Sequence, residues 1–347
     1  MLEPEAAHRI RLRRAAALPF LGAALLLCGC DGIQSTLAPA GVGAKRIATL
    51  FWISVVGAAA IWLAVMALTL VAIRRGNARG EGRRIADETR GPAAWIIVGG
   101  GAVFPSVVLA GYLLYGLALL PDLVAPAPHG SLQIQISGEM WWWRVHYLPP
   151  GGDPVPLANE IRLPVGEPVE FLVESPDVIH SFWIPSLGPK IDMIPGRKNR
   201  LALQPTTTGL FRGACAEYCG ASDARMNFYA EVMEKAAFER WLAQQAAPAK
   251  EPSTALEARG RALFLGNGCG ACHTVRGTEA DGVLGPDLTH VGGRHSIGAG
   301  LLPNDREGFA RFIASTNHLK PEVRMPAFGM LPADDLTAIA AWLDGLE

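Results

Sequence analysis

Two uninterrupted apolar runs, Ile47 to Ile73 and Ala93 to Leu120, restrict what this chain can fold into more than any other feature of its sequence. Each is longer than the roughly 20 residues that a helix needs to cross a hydrocarbon core. In lipid every backbone N–H and C=O must find its partner within the protein, and a helix meets that demand by itself. Two membrane helices, about 47–73 and 93–120, are therefore expected. Between them, RRGNARGEGRRIADETRG carries Arg74, Arg75, Arg79, Arg83, Arg84 and Arg90. Positive loops stay in the cytoplasm, so both flanking parts of the chain are expected on the exported side.

The first residues agree with that orientation. Arg9, Arg11, Arg13 and Arg14 precede the short apolar stretch AALPFLGAALLL, the charged and hydrophobic regions of an export signal. Leu27-Cys28-Gly29-Cys30 then resembles a bacterial lipobox. Residues 1–29 are expected to be a lipoprotein signal peptide and Cys30 a lipidated N-terminus; an uncleaved anchor is the other reading, opposed by the shortness of the apolar stretch. The expected location is a bacterial plasma (inner) membrane, crossed more than once. The net charge of −1 provides no basic footprint for nucleic acid, and none is expected as a partner.

With 347 residues the chain has room for roughly two or three domains. The membrane hairpin is assigned 30–120, and PDLVAPAPHG at 121–130 reads as a proline-rich spacer. Residues 131–245 alternate short β-type runs (LQIQIS, WWWRVHY, NEIRLPV, PVEFLVES, RLALQP, NFYAEVM) with turn residues, the pattern of an all-β sandwich or Greek-key barrel. Period-two alternation puts Trp141 and Trp143 on one strand face and Trp142 on the other. AQQAAPAKEPST at 243–254 reads as a second linker. The remainder, 253–347, has helical patterns around Cys269-Gly270-Ala271-Cys272-His273.

Of the six cysteines, Cys28 and Cys30 belong to the signal and the others form two close pairs, an arrangement suited to cofactor sites rather than a disulfide framework. CGACH is the attachment signature of a c-type haem: Cys269 and Cys272 bind the porphyrin edge covalently and His273 reaches the iron. Met325 is the expected second axial ligand, because a thioether opposite histidine raises the haem potential; Met330 is the reserve candidate. Gly285 and Pro286 are expected to shape the pocket wall, and His290, His295 and His318 to be solvated rather than ligating. The second pair lies in CAEYCGASDARM. Cys215, Cys219 and Met226, with His180 from a strand end, form a soft set that selects copper.

Residues 253–347 resemble the class I cytochromes c, through CGACH, GPDL, MPAFG and a final helix containing Trp342. From the membrane hairpin through Trp241, the chain resembles subunit II of the haem-copper oxidases, through MWWWRVHY, VIHSFWIPSLGPKIDMIPGRKN and CAEYCGASDARM, and through the lipobox with its following QSTLAPAG. The resemblance implies a cupredoxin-like Greek-key sandwich holding a binuclear copper centre, CuA. Cys215 and Cys219 would bridge the ions, with His180 and Met226 serving one copper and the Glu217 carbonyl the other. It further implies that Trp141 receives electrons from a cytochrome, that the Glu217 carboxylate joins a magnesium site shared with subunit I, and that subunits I and III are partners.

Two positions depart from the family pattern. Asp223 stands where the second copper histidine is expected. It leaves three readings open: a carboxylate ligand, a site built only from His180, Cys215, Cys219 and Met226, or a relic without copper. A rescue by His146 is a further option, opposed by its place in the tryptophan segment. Pro92 stands where a glutamate near a proton pathway is often found, which would move any such entrance to Asp87 or Glu88. The function implied is the electron-accepting subunit of a respiratory cytochrome c oxidase, taking electrons from cytochrome c or another cytochrome. The alternatives are the copper-bearing subunit of a nitric oxide reductase and a membrane-anchored electron carrier with a degenerate copper site.

Overall fold

The computed structural model describes residues 32–78 and 95–347. The signal segment with Cys28 and Cys30, the loop arginines from Arg79 onward, and Asp87, Glu88 and Pro92 lie outside the described residues. The described residues form two compact units, one within Lys45–Ala125 and the other Pro126–Glu347 together with residues 32–44.

Among its described residues, the first unit holds two helices long and apolar enough to cross a membrane. Helix α1 spans Val42–Ala78. The second begins at Trp95 as a π-helix through Val103 and continues as α2, Phe104–Val124. The change of winding has a covalent origin: Pro105 has no N–H to give the Gly101 carbonyl, and Gly99, Gly100 and Gly101 are weak helix formers. α2 runs past the expected end at Leu120, so the first residues of the predicted spacer are helical. That extra turn brings Asp122 to within 2.5 Å of Arg46, while Ser54 Oγ and Tyr112 hydroxyl meet at 2.7 Å along the shared face.

The second unit opens with a β-sandwich. One sheet has the order β3-β2-β1-β5-β8 and the other β4-β10-β9-β6-β7. The strands are β1 Leu132–Glu139, β2 Trp142–Leu148, β3 Val155–Ala158, β4 Glu160–Pro164, β5 Val169–Glu174, β6 His180–Trp183, β7 Ile191–Met193, β8 Asn199–Leu203, β9 Gly209–Cys215 and β10 Asn227–Met233. β1 with β5 and β10 with β4 are parallel, and the other pairs antiparallel. Alternate residues of each sheet interleave in the core: Ile134, Ile136, Val145, Phe171, Phe182 and Phe228 are all buried. Phe182 stacks on Phe228 with centroids 5.1 Å apart. Gly213 is required there, since a Cβ would lie 2.0 Å from the Phe228 ring. Buried Tyr147 bridges β2 to β4, its hydroxyl donating to the Arg162 carbonyl and accepting from the Arg162 amide.

Helix α3, Lys235–Ala246, follows β10 and extends into the predicted linker, which is irregular only from Ala247. Then come α4 Ala255–Gly266, α5 Arg306–Ala314, α6 Thr316–Leu319 and α7 Ala333–Asp344. The Thr254 side chain caps α4 by accepting from the Glu257 amide, and Glu257 bonds back to Ser253, satisfying two exposed N–H groups at once. α4 crosses α7 where Gly260 faces the Ala338 carbonyl, with Phe264 edge-on to Trp342 at 5.0 Å. A Cβ on Gly260 would stand 2.0 Å from the Ala338 oxygen, which is backbone and cannot turn aside. Gly260→Ala is expected to destabilise this domain by roughly 2–3 kcal/mol, read as a lower midpoint in thermal melts followed by haem absorbance.

Candidate metal and haem centres

The register of β6 on β9 assembles the first site. Phe182 pairs with Cys215 and Trp183 with Ala214, and the Ala216 amide donates to the Ser181 carbonyl. His180, at the start of β6, thereby faces the loop that leaves β9. A ring nitrogen of His180, Cys215 Sγ and Cys219 Sγ all lie within 4.8 Å of one another. The Glu217 carbonyl oxygen is 3.2 Å from Cys215 Sγ. Asp223 Oδ1 is 3.2 Å, and Met226 Sδ 3.9 Å, from Cys219 Sγ. His146 lies on the outward face of β2, away from this cluster.

His180 is fully buried, and its orientation is fixed from behind. Its Nε2 is 2.9 Å from Asp177 Oδ1, so the N–H belongs on Nε2 and the Nδ1 lone pair faces Cys215, 3.8 Å away. Asp177 also accepts from the Met140 and Val178 amides. Burial works against its charge, but these bonds and the His180 ring outweigh it and hold its carboxyl below the usual range. Asp177 escaped the sequence reading; the one signal was a carboxylate three residues before the histidine, which there reads as an ordinary Pro-Asp turn. Gly138 supplies clearance on the other side, since a Cβ would approach the His180 ring to 3.0 Å.

The tryptophans divide as alternation requires: Trp141 and Trp143 are buried and Trp142 is half-exposed. Trp143 packs edge-on to Phe182 and Phe228 and tilted beside His180, forming the floor of the site. Trp141 Nε1 donates to the Cys219 carbonyl at 3.0 Å, and Gly220 lets the ring lie against the loop.

Around CGACH, His273 is nearly buried and its Nδ1 faces the Pro286 carbonyl at 2.9 Å, leaving Nε2 to point away as a ligand. Gly285 packs on the ring so closely that a Cβ would lie 2.6 Å from Cε1, and its amide donates to the Cys272 carbonyl. Met325 is half-buried against the helical core, whereas Met330 is 77% exposed. His318 is exposed. One histidine corrects the expectation of solvated side chains, while His295 remains exposed. His290 is buried with its ring nitrogens facing the Glu347 and Ala247 carbonyls, which close the chain terminus over it. His295 pairs with Glu231 of β10 at 3.0 Å, and its amide donates to Glu160 of β4, so it serves the contact between domains.

The two thiols of the first site share one proton unequally. The hydrogen bond from Cys219 pulls Cys215 down to about 5, burial resists, and His180 adds to the fall; Cys219 is pushed far up. In metal-free protein Cys215 is therefore mostly thiolate at about pH 6, where an ordinary thiol is protonated. Iodoacetamide at that pH is expected to label Cys215 well before Cys219, with the difference lost in denaturant, as read by peptide mass spectrometry.

Residues 154–233 match the family model described as cytochrome c oxidase subunit II, periplasmic domain, and residues 257–347 match that of cytochrome c. These imply copper in the sandwich and haem in the helical domain, and the donor sets just described suit both. The chain is 31% identical over 339 residues to cytochrome c oxidase subunit 2 of Alkalihalophilus pseudofirmus, covering 95% of this chain and 96% of that protein. It is 25% identical over 348 residues to the Bacillus subtilis protein of the same description, covering 93% and 95%. Among solved structures, the periplasmic domain of subunit II of the Bradyrhizobium japonicum cytochrome oxidase is 32% identical, covering 34% of this chain and 96% of that one, with a TM-score of 0.32. Soft ligands on a sandwich, a haem-attachment helical domain, and likeness to a relative along nearly its whole length converge: the chain belongs to the cytochrome c oxidase subunit 2 family, with a cytochrome c domain following the copper domain.

Proposed function

We propose that this chain is the electron-accepting subunit of a respiratory, proton-translocating cytochrome c oxidase, anchored in a bacterial plasma membrane with both of its C-terminal domains on the periplasmic side. Cys30 would carry lipid after removal of the signal peptide. The helices beginning at Val42 and Trp95 would pack against the oxygen-reducing subunit I, with subunit III completing the complex. A cytochrome donor outside the membrane would deliver electrons to the haem domain. When bound, haem c and copper each exchange single electrons with little rearrangement, and this chain's own residues set where and how easily that happens.

On the haem side, Cys269 and Cys272 would anchor the porphyrin, and His273, oriented by Pro286, and Met325 would hold the iron. On the copper side, Cys215, Cys219, His180, Met226, the Glu217 carbonyl and Asp223 would hold a binuclear CuA-like centre. The observation that carries this reading is the convergence of an imidazole and two thiols within 4.8 Å, with Asp223 turned onto Cys219 at 3.2 Å. A carboxylate in that position favours the carboxylate-ligand reading over the relic, since an idle aspartate at a loop surface would face water. Trp141, bonded to the Cys219 carbonyl, would couple the copper loop to incoming electrons, and the exposed Glu217 carboxylate would complete a magnesium site with subunit I.

Copper analysis with EPR on the purified complex tests the centre: two coppers sharing one unpaired electron is the expected result, and a single localised copper or none would refute the binuclear assignment. Asp223→His replaces a hard anion by a neutral imidazole and is expected to favour the reduced state by on the order of tenfold, about 59 mV for one electron. Asp177→Ala removes the group that orients His180, and copper affinity is expected to fall about 10- to 100-fold, measured by competition with a chelator.

A further inference from the structure

Two stretches of the haem domain grip the copper loop. The Pro321 carbonyl accepts from Ser222 Oγ at 2.7 Å, and the Ala299 carbonyl accepts from the Asn227 amide at 3.0 Å. Ser222 immediately precedes Asp223 and Asn227 immediately follows Met226, so the segment that carries both side chains is held at its two ends by the other domain. The grip is costly to build. Gly298, Ala299 and Gly300 all have positive φ (67°, 68° and 79°), and Ala299, with its side chain, is strained in that region by about 1 kcal/mol or more. Gly300 is further pressed by Asn227, whose Cβ would stand 3.0 Å from an added Cβ.

Lys320 lies between these two contacts. It is 2% exposed, and its Nζ donates to the Gly298 carbonyl at 2.8 Å. Among the described residues no carboxylate is within ion-pair distance of it. A buried ammonium without an anionic partner is expensive to keep. Burial pushes it down to about 7, the Cys219 sulfur pulls it up and Arg225 pushes it down. Pro321, next to Lys320, holds Ser222, next to Asp223, and Gly298, which Lys320 caps, precedes the Ala299 carbonyl that holds Asn227, so the ammonium stands beside the copper loop.

We propose that Lys320 is the counter-charge of the copper site: the haem domain supplies a buried ammonium to a loop in which Asp223 adds a negative charge, and this raises the copper potential. The assignment rests on the copper reading above. An added electron is stabilised by a nearby positive charge and opposed by a nearby negative one, and low-dielectric surroundings magnify both effects. Lys320 touches no ligand-exchanging atom; it is a positioning residue that acts through Cys219 and the gripped loop.

The test is a redox titration of the whole complex, with copper followed by EPR and haem by absorbance. Lys320→Gln keeps a donor for the Gly298 carbonyl and removes the charge. It is expected to retain copper and the haem potential while copper becomes about tenfold harder to reduce, ~59 mV for one electron. Lys320→Arg is expected to restore most of that shift. Ser222→Ala, which releases one grip without altering charge, should shift copper in the same direction by less, and it stands in if Lys320→Gln does not assemble. An unchanged copper potential in the variant that assembles, or an equal shift at the haem, overturns the assignment while leaving the copper reading intact. Absence of copper from the unaltered complex overturns both.

Discussion

The pairing of β6 with β9 is the constraint on which the copper site depends. A strand slipped by one residue turns every side chain to the other face, and such a slip would bury His180 away from Cys215 or turn Phe182 out of the stack with Phe228. The aromatic core therefore does more than stabilise the sandwich. Trp143, Phe182 and Phe228 lock the register, the register places His180, and Asp177 sets the ring's rotation and tautomer. Most of that preorganisation is independent of metal, which suits a centre that changes charge without changing shape.

The haem domain is joined to the sandwich by hydrogen bonds between its backbone and charged side chains of the sandwich, which are themselves ion-paired and largely shielded. Glu160, 4% exposed, accepts from the His295 amide and pairs with Arg162 at 3.0 Å, and Arg162 also reaches Glu231 and the Gly293 carbonyl. Arg144 lies over the Trp142 ring, pairs with Glu139, and donates to the Val283 carbonyl. Val283 is two residues from Gly285, which packs on His273. The outer tryptophan face and the wall of the haem pocket are therefore neighbours within one packed unit. Breaking a buried network of this kind by removing one partner typically costs about 3–5 kcal/mol, because the remaining charge is stranded.

Much of the fold is legible in local patterns. The apolar runs announced α1 and α2, period-two alternation separated Trp142 from Trp141 and Trp143, and short motifs drew attention to His180, Cys215, Cys219, Met226 and His273. What stayed hidden depends on residues distant in sequence. Asp177 gains its role only when β6 folds back against β9. His290 looks like a surface residue until the Ala247 and Glu347 carbonyls close on it, and exposed His295 gains Glu160 and Glu231 as partners only when the two domains meet. Lys320 reads as an exposed cation in a loop until Gly298 and the copper loop arrive on either side. Helix ends were missed for a different reason: α2 and α3 run into proline- and alanine-containing stretches whose composition permits either state.

Arg276, three residues beyond His273, reaches the connection between the two folded domains. Its guanidinium donates to the Gln245 and Ala247 carbonyls at the end of α3 and pairs with Asp287, while the Ala249 amide bonds to the Arg276 carbonyl. The residues that look like a flexible leash are in this way stitched to the domain they lead to. The freedom of such a leash is normally surrendered afresh each time its cargo docks. Here it is surrendered once, as the protein folds, and the two redox domains behave as a single moving part.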